Sequence, residues 1–338
     1  MKLSVIIPCW NEEHNLPVLH TRLTETIAGV CEEHEFIYVN DGSRDNTLGV
    51  LRELAAADAS VKFISFSRNF GHEIAVAAGL DKATGDAAVL IDADLQDPPE
   101  LIGPMVARWR EGVHVVYAQR RKRRGDPIAK KIAIFFFYRV LGRISEIDIP
   151  LDTGNFRLMD RRVIEVVKSC RENPRYVRGL VPWAGFKQEP LLFDRDPRHA
   201  GKTGYGFFKL VRLAYDGICS FSMVPLRVST WVGSGVIALS ILLTLFVIVE
   251  RIFFNSPSLG VPRGFAFLAC VILFLGGVQL FMLGMLATYV GYIFKNVQQR
   301  PMYVVAEEGG FTPSEPGMEK GRVVVRPGLS VMTESMVR

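Results

Sequence analysis

Asp92-Ala93-Asp94 places two carboxylates one residue apart, directly after the apolar run 87–91. In an extended backbone, side chains two positions apart point to the same face. Like charges that close repel unless a cation stands between or beside them. Mg2+ or Mn2+ answers that need, since Mg2+ typically takes one or two carboxylates and completes its shell with phosphate oxygens. A lone Asp-x-Asp is more often a solvated turn. Its place after a buried strand, with Gln96 and Asp97 following, favours a metal and a diphosphate.

Other polar groups follow other short apolar runs. Asn11 and Glu12 come after the run 3–7, Asn40-Asp41-Gly42-Ser43 after 36–39, Arg68-Asn69 after 61–66, and Gln119-Arg120 after 113–118. Helical patterns separate these runs. Leu16, Leu19, Leu23, Ile27 and Val30 follow helical spacing from an N-cap at Asn15, and further helices are predicted at about 47–57, 73–83 and from Pro98-Pro99 to about Glu111. Strand–helix alternation predicts an α/β fold with a mostly parallel sheet covered on both faces. Ligands of such sheets bind outside the carboxyl ends of the strands, where these polar residues fall.

The chain has 338 residues, a net charge of +5 and 22% charged residues, yet its mean hydropathy is positive. A soluble part joined to a membrane part explains the combination. Residues 228–249 carry no charge and suffice for one spanning helix; 265–294 are again uncharged, which predicts a second span at about 266–290. Two spans put both termini on one side, and Arg227, Lys295 and Arg300 place that side in the cytoplasm, against Arg251 and Arg263. The expected organisation is a catalytic domain over 1–205, including an interfacial helix at about 127–146. A juxtamembrane amphipathic helix over 206–227, the two spans and a cytoplasmic tail over 295–338 follow.

Basic residues cluster at 120–124 and again at Arg195, Arg198, Lys202, Lys209 and Arg212. No helix-turn-helix, zinc-finger or RNP pattern accompanies them, so an anionic membrane surface and phosphate are favoured over nucleic acid. The five cysteines are odd in number and lack CxxC spacing, which fits small buried hydrophobes in a reducing compartment. The six histidines show no ligand spacing, and the run 3–7 is too short for a signal peptide.

The stretch from Ser4 to Glu13 (SVIIPCWNEE) resembles the opening of family 2 glycosyltransferases of GT-A, Rossmann-like fold, and Val39–Ser43 (VNDGS) resembles their nucleobase-binding turn. SRNFGH at 67–72, DADLQDPP at 92–99, DTGNFRL at 152–158 and SFSMVPLR at 220–227 are similar to the polyprenyl-phosphate branch related to dolichyl-phosphate mannose synthase. Two spans after the catalytic domain are similar to its bacterial glucosyl (GtrB-type) members, and the likeness covers residues 3–300. The resemblance implies that Pro8, Asn11, Glu12, Asp41, Arg68, Asp92 and Asp94 bind a nucleotide-sugar, UDP-glucose being favoured over GDP-mannose and other donors. It further implies Asp92, Asp94 and Gln96 as metal ligands, an inner-membrane location and a homo-oligomer such as a tetramer.

A polyprenyl phosphate acceptor wants arginine forks near the membrane plane. Arg120, Arg123, Arg195, Arg198 and Lys202 are the candidates. The family's Gly-x-Ser-Lys-Tyr pattern reads Gly201-Lys202-Thr203-Gly204-Tyr205 here, so Gly204 stands at the usual lysine position. Asp94, Asp152 and Asn155 are the candidate catalytic residues, and related glucosyltransferases commonly carry aspartate where Asn155 stands. A phosphate monoester, with a second pKa of about 6, attacks without a strong base. Asn155 therefore either positions the acceptor or marks a chain that binds a nucleotide-sugar without turning it over. A processive polysaccharide synthase is disfavoured, because the chain lacks the Gln-x-x-Arg-Trp motif and further spans.

Overall fold

The computed structural model describes residues 1–120, 153–170, 172, 175–193, 231–236, 238–239, 241–242, 245, 261–298, 300–311 and 323–324. They fall into two compact units, one containing a sheet with its helices and the other a long apolar helix.

The sheet domain begins with β1 (Lys2–Cys9), α1 (Asn15–Ile27), β2 (Glu33–Asn40), α2 (Thr47–Ala57), β3 (Val61–Phe66), α3 (His72–Lys82) and β4 (Ala87–Leu90). A 3-10 turn at Pro99–Leu101 leads into α4 (Ile102–Arg110), followed by β5 (Val115–Arg120). Then come β6 (Thr153–Asp160), α5 (Arg161–Ser169), α6 (Val177–Trp183) and β7 (Gln188–Phe193). The second unit contains α7 (Val261–Val297), after which the chain returns to the sheet domain as β8 (Val304–Gly309) and β9 (Val323–Val324).

The described strands are ordered β7-β5-β6-β4-β1-β2-β3-β8-β9. Strands β4, β1, β2 and β3 pair in parallel, as the alternation of strands and helices predicts. The sheet as a whole is mixed, which corrects the mostly parallel expectation at its flanks. β6 runs antiparallel between β4 and β5, and β8 runs antiparallel along β3.

Alternation along β1 sorts the core into two layers. Leu3, Val5 and Ile7 join Leu16, Leu19 and Leu23 of α1, Leu51 of α2 and Met105 of α4, all fully buried. On the opposite face α3 lies close against Ile6 and Val39. A Cβ at Gly79 would meet Ile6 Cγ2 at 2.3 Å, so glycine sets that approach. Truncating Leu19 to alanine would cost about 2–5 kcal/mol.

Asn15 is the first residue of α1 rather than its N-cap. Its side-chain amide donates backwards to Glu12 Oε2 at 2.6 Å, and no side chain caps the helix start.

α7 is a continuous helix of 37 residues. Its stretch Phe274–Val297, with mean hydropathy 1.5, is the one described helix long and apolar enough to cross a membrane. Leu280, Phe281, Leu283, Leu286, Val290, Ile293 and Phe294 are all exposed. The span expected at about 228–249 falls mostly outside the described residues, of which 231–236 are helical. The segments expected as interfacial helices, 127–146 and 206–227, lie outside them too.

The segment after α7, read from sequence as the start of a tail, joins the sheet as β8, between β3 and β9. Ser67 N–H donates to Val304 O at 3.0 Å. Arg52 meets Glu307 at 2.6 Å in a two-pronged exposed pair, and Tyr303 is buried.

Candidate functional site

The parallel register brings Cys9, Asn40 and Ser65 side by side at the carboxyl ends of β1, β2 and β3. Asn40 ties this edge together. Its amide donates to Ser65 Oγ at 3.0 Å, and its oxygen accepts from Ser43 N–H and Oγ–H. Asn11, at φ 57°, receives no strand partner but bridges two loops. It donates from its backbone to Ser43 Oγ and accepts Arg44 N–H at 2.8 Å. Glu12 N–H donates to Thr47 Oγ1, while Pro8 sits within β1 opposite Val39. Gly42 turns the β2 loop at φ +63°, and a Cβ there would stand 2.3 Å from the Arg68 carbonyl carbon.

Asp41 shapes the neighbouring loop. Its carboxylate, almost fully buried, accepts from Phe70 N–H at 2.7 Å, from Gly71 N–H, and from the Asn69 side-chain amide at 2.9 Å. A carboxylate offers about four lone-pair positions, and Gly71 N–H is shared between both oxygens, so the loop approaches all four. Burial raises its pKa above the ordinary aspartate value, and the Phe70 and Gly71 N–H groups oppose that rise. Arg68 lies flat over the Phe70 ring, 4.0 Å from its centroid, with Nη1 donating to Asn69 O.

The Asp92-Ala93-Asp94 backbone departs from expectation. β4 ends at Leu90, and Ala93 and Asp94 form a turn rather than an extended run. Asp94 Oδ1 accepts Gln96 N–H at 3.2 Å, and Leu95 takes φ 60°. A left-handed leucine costs about 1–2 kcal/mol, and Asp92 and Asp94 stand at a strained turn rather than along an extended strand. Gln96 and Asp97 are buried beside it.

β6 completes the site because it is reversed. In its antiparallel register Leu90 stands opposite Arg157, so two residues further on Asn155 faces the Asp92 position. His72, the first residue of α3, places Nε2 3.4 Å from Asp92 Oδ1 and bonds the Asn155 amide nitrogen. Arg178 of α6 donates from Nε and Nη2 to Asn155 Oδ1 at 3.3 and 3.0 Å. Arg157, buried beneath, donates to the Gly154 and Asn155 carbonyls. Desolvation, and next the Arg178 charge, pulls its pKa down to about 10.

Asp92 Oδ1 is a buried oxygen without a hydrogen-bond donor among the described residues. An orphaned carboxylate oxygen is what a cation ligand looks like before its cation arrives. Among the described residues no three His, Cys, Asp or Glu side chains form a closed cage. That suits a cation held by one or two carboxylates and finished by substrate phosphates.

The structure thus brings Pro8, Asn11, Glu12, Asp41, Arg68, Asp92, Asp94, Gln96 and Asn155 to the loop edge of one domain. Asp152, Arg123, Arg195, Arg198 and Lys202 lie outside the described residues, and Arg120 is described only as the last backbone residue of β5. The sequence pattern gives no role to Arg157, Arg178 or His72. An arginine inside the apolar strand run Phe156–Met159 was the available signal for the first.

Comparisons with known proteins place the chain in a family. Residues 4–167 match the profile of glycosyl transferase family 2. An uncharacterized glycosyltransferase of Synechocystis sp. is 46% identical over 92% of this chain and 96% of its own length. The uncharacterized glycosyltransferase YkcC of Bacillus subtilis is 42% identical over 92% and 95%. The SfII prophage-derived bactoprenol glucosyl transferase of Shigella flexneri is 39% identical over 90% and 97%. Matched along nearly its whole length by these relatives, the chain is a glycosyltransferase and belongs to glycosyl transferase family 2.

Proposed function

We propose that this enzyme transfers glucose from UDP-glucose to the phosphate of a polyprenyl phosphate, with inversion, at the cytoplasmic face of a bacterial inner membrane. The observation that carries the reading is the buried Oδ1 of Asp92, without a donor among the described residues, at the carboxyl edge of the parallel strands β4 and β1. The likeness to a bactoprenol glucosyl transferase over nearly the full length of both chains supports the acceptor. The exposed apolar surface of α7 supports a membrane location.

Asp41, whose two oxygens share the Gly71 N–H, takes an N–H of the nucleobase. Asn11 and Glu12 shape the wall of that pocket, and Arg68 meets the diphosphate as a planar fork. Asp92 and Asp94, with Gln96 as a further oxygen ligand, would hold a Mg2+ or Mn2+ ion, which would neutralise charge on the departing nucleoside diphosphate. The acceptor phosphate, largely ionised at neutral pH, attacks the anomeric carbon directly. Asn155 therefore serves in positioning, and no catalytic carboxylate is required of it. Two or three of Arg120, Arg123, Arg195, Arg198 and Lys202 hold the acceptor phosphate.

A second reading has one observation behind it. Both ends of the Asn155 amide are held, the nitrogen by His72 and the oxygen by Arg178, which suits a chain that binds a nucleotide-sugar without turnover. Incubating the purified full-length protein with polyprenyl phosphate, Mg2+ and labelled nucleotide-sugars decides between them. Glucosyl lipid from UDP-glucose, lost in Asp94→Ala, is the expected result. Product that persists in Asp94→Ala would overturn the metal assignment. No product from any donor, with product regained in Asn155→Asp, would establish the non-catalytic reading.

A further inference from the structure

The side-chain amide of Asn155 has its orientation forced from one side. Arginine carries donors only, so the oxygen must face Arg178, which reaches it with both Nε and Nη2. The nitrogen then faces His72 Nε2 and donates to it. A ring nitrogen that accepts a hydrogen bond carries no proton, so the ring proton of His72 sits on Nδ1. Consequently the imidazole nitrogen 3.4 Å from Asp92 Oδ1 has nothing to donate, and that oxygen stays buried and without a donor.

From this chain of contacts we infer that Arg178 is a positioning residue. Through Asn155 it selects the His72 tautomer that leaves Asp92 Oδ1 free for a divalent cation. The inference rests on the reading of Asp92 as a metal ligand. Without the Arg178 fork the amide can turn over and present its oxygen to His72. The ring proton then moves to Nε2, where it can bond Asp92 Oδ1 and compete with the cation. Arg157 holds the same unit from below by its bonds to the Gly154 and Asn155 carbonyls, so side chain and backbone of Asn155 are fixed separately. Such outer partners of a metal ligand typically govern about 10–100-fold in metal affinity.

The test is Mn2+ binding by the full-length protein in detergent with UDP present, read from the electron paramagnetic resonance signal of free Mn2+. Arg178→Met is expected to weaken binding about 10–100-fold. Removing the competing donor in Arg178→Met/His72→Ala restores it, which a general structural fault at position 178 would not allow. Asn155→Asp keeps the arginine pairing and folds by it. A carboxylate can only accept, so this variant also turns the His72 proton to Nε2 and weakens Mn2+ binding, again relieved by His72→Ala. Unchanged affinity in Arg178→Met and Asn155→Asp, or a loss that His72→Ala leaves in place, would overturn the relay. Asp92→Asn serves as the separate control. Wild-type Mn2+ binding in that variant removes the metal reading itself, whereas its loss beside an unaffected Arg178→Met removes only the relay.

Discussion

The ring of Tyr303 stacks on that of Phe66, with centroids 4.9 Å apart and planes 24° from parallel. Phe66 ends β3 and meets Phe70 edge-on at 5.7 Å, and Phe70 in turn carries the Arg68 guanidinium. The segment that follows α7 thereby buttresses the loop that holds Asp41. Tyr303→Leu, which keeps an apolar side chain but loses the stacking, should destabilise the sheet domain by about 0.5–1.5 kcal/mol. It should also weaken UDP binding while leaving the stoichiometry at one. Denaturant unfolding and calorimetric titration with UDP check the two parts, and unchanged UDP affinity would detach β8 from the site.

Nucleotide binding should depend on the ionisation of Asp41. Burial raises its pKa, and only the carboxylate can accept all of its N–H partners. UDP affinity should therefore fall on acidification at a pH above the ordinary aspartate value of about 3.9. In Asp41→Asn the affinity should be low and flat over the same range. Titrations of UDP at a series of pH values measure both, and a wild-type midpoint at or below the ordinary value would contradict the assignment.

Gly42→Ala should damage the same loop for a steric reason. The left-handed backbone alone costs about 1–3 kcal/mol for a non-glycine residue. The added Cβ, 2.3 Å from the Arg68 carbonyl carbon, also pushes Arg68 and Asn69 away from Asp41. Lower stability together with reduced UDP affinity is expected, measured by thermal unfolding with and without UDP.

A separate pH effect comes from the far side of the domain. Glu35 is buried, which by itself would raise its pKa, but the Lys62 ammonium at 2.6 Å and the Ser4 and Thr84 donors hold it down at about 2. A depressed carboxylate contributes stability that is complete above its unfolded value, about 4.3, and is lost as the pH falls toward the folded one. The loss amounts to an order of 3 kcal/mol between about pH 4.3 and 2. Glu35→Gln should be less stable at neutral pH and should show a flatter acid limb in unfolding followed by circular dichroism.

Much of the first 120 residues was legible because their elements are local. Leu16, Leu19, Leu23 and Ile27 recur at helical spacing and are all buried in α1, and the polar residues after each apolar run do collect at the carboxyl edge of β1 to β4. The acidic turn was legible in position but not in shape. Asx bonding at Asp94 and the left-handed Leu95 replace the extended backbone that alternation assumes.

The sequence by itself determined the residue types at the site, the order of strands and helices through the first 120 residues and the apolar stretch of α7, since each is a short-range pattern in the chain. Only the tertiary structure decided that β6 runs backwards beside β4 and that β8 returns to β3. Strand pairing depends on contacts between residues far apart in sequence, which no periodicity records. That pairing sets Asn155 against Asp92, His72 and Arg178, and so turns an asparagine that looked like a missing base into the centre of a fixed hydrogen-bonded unit.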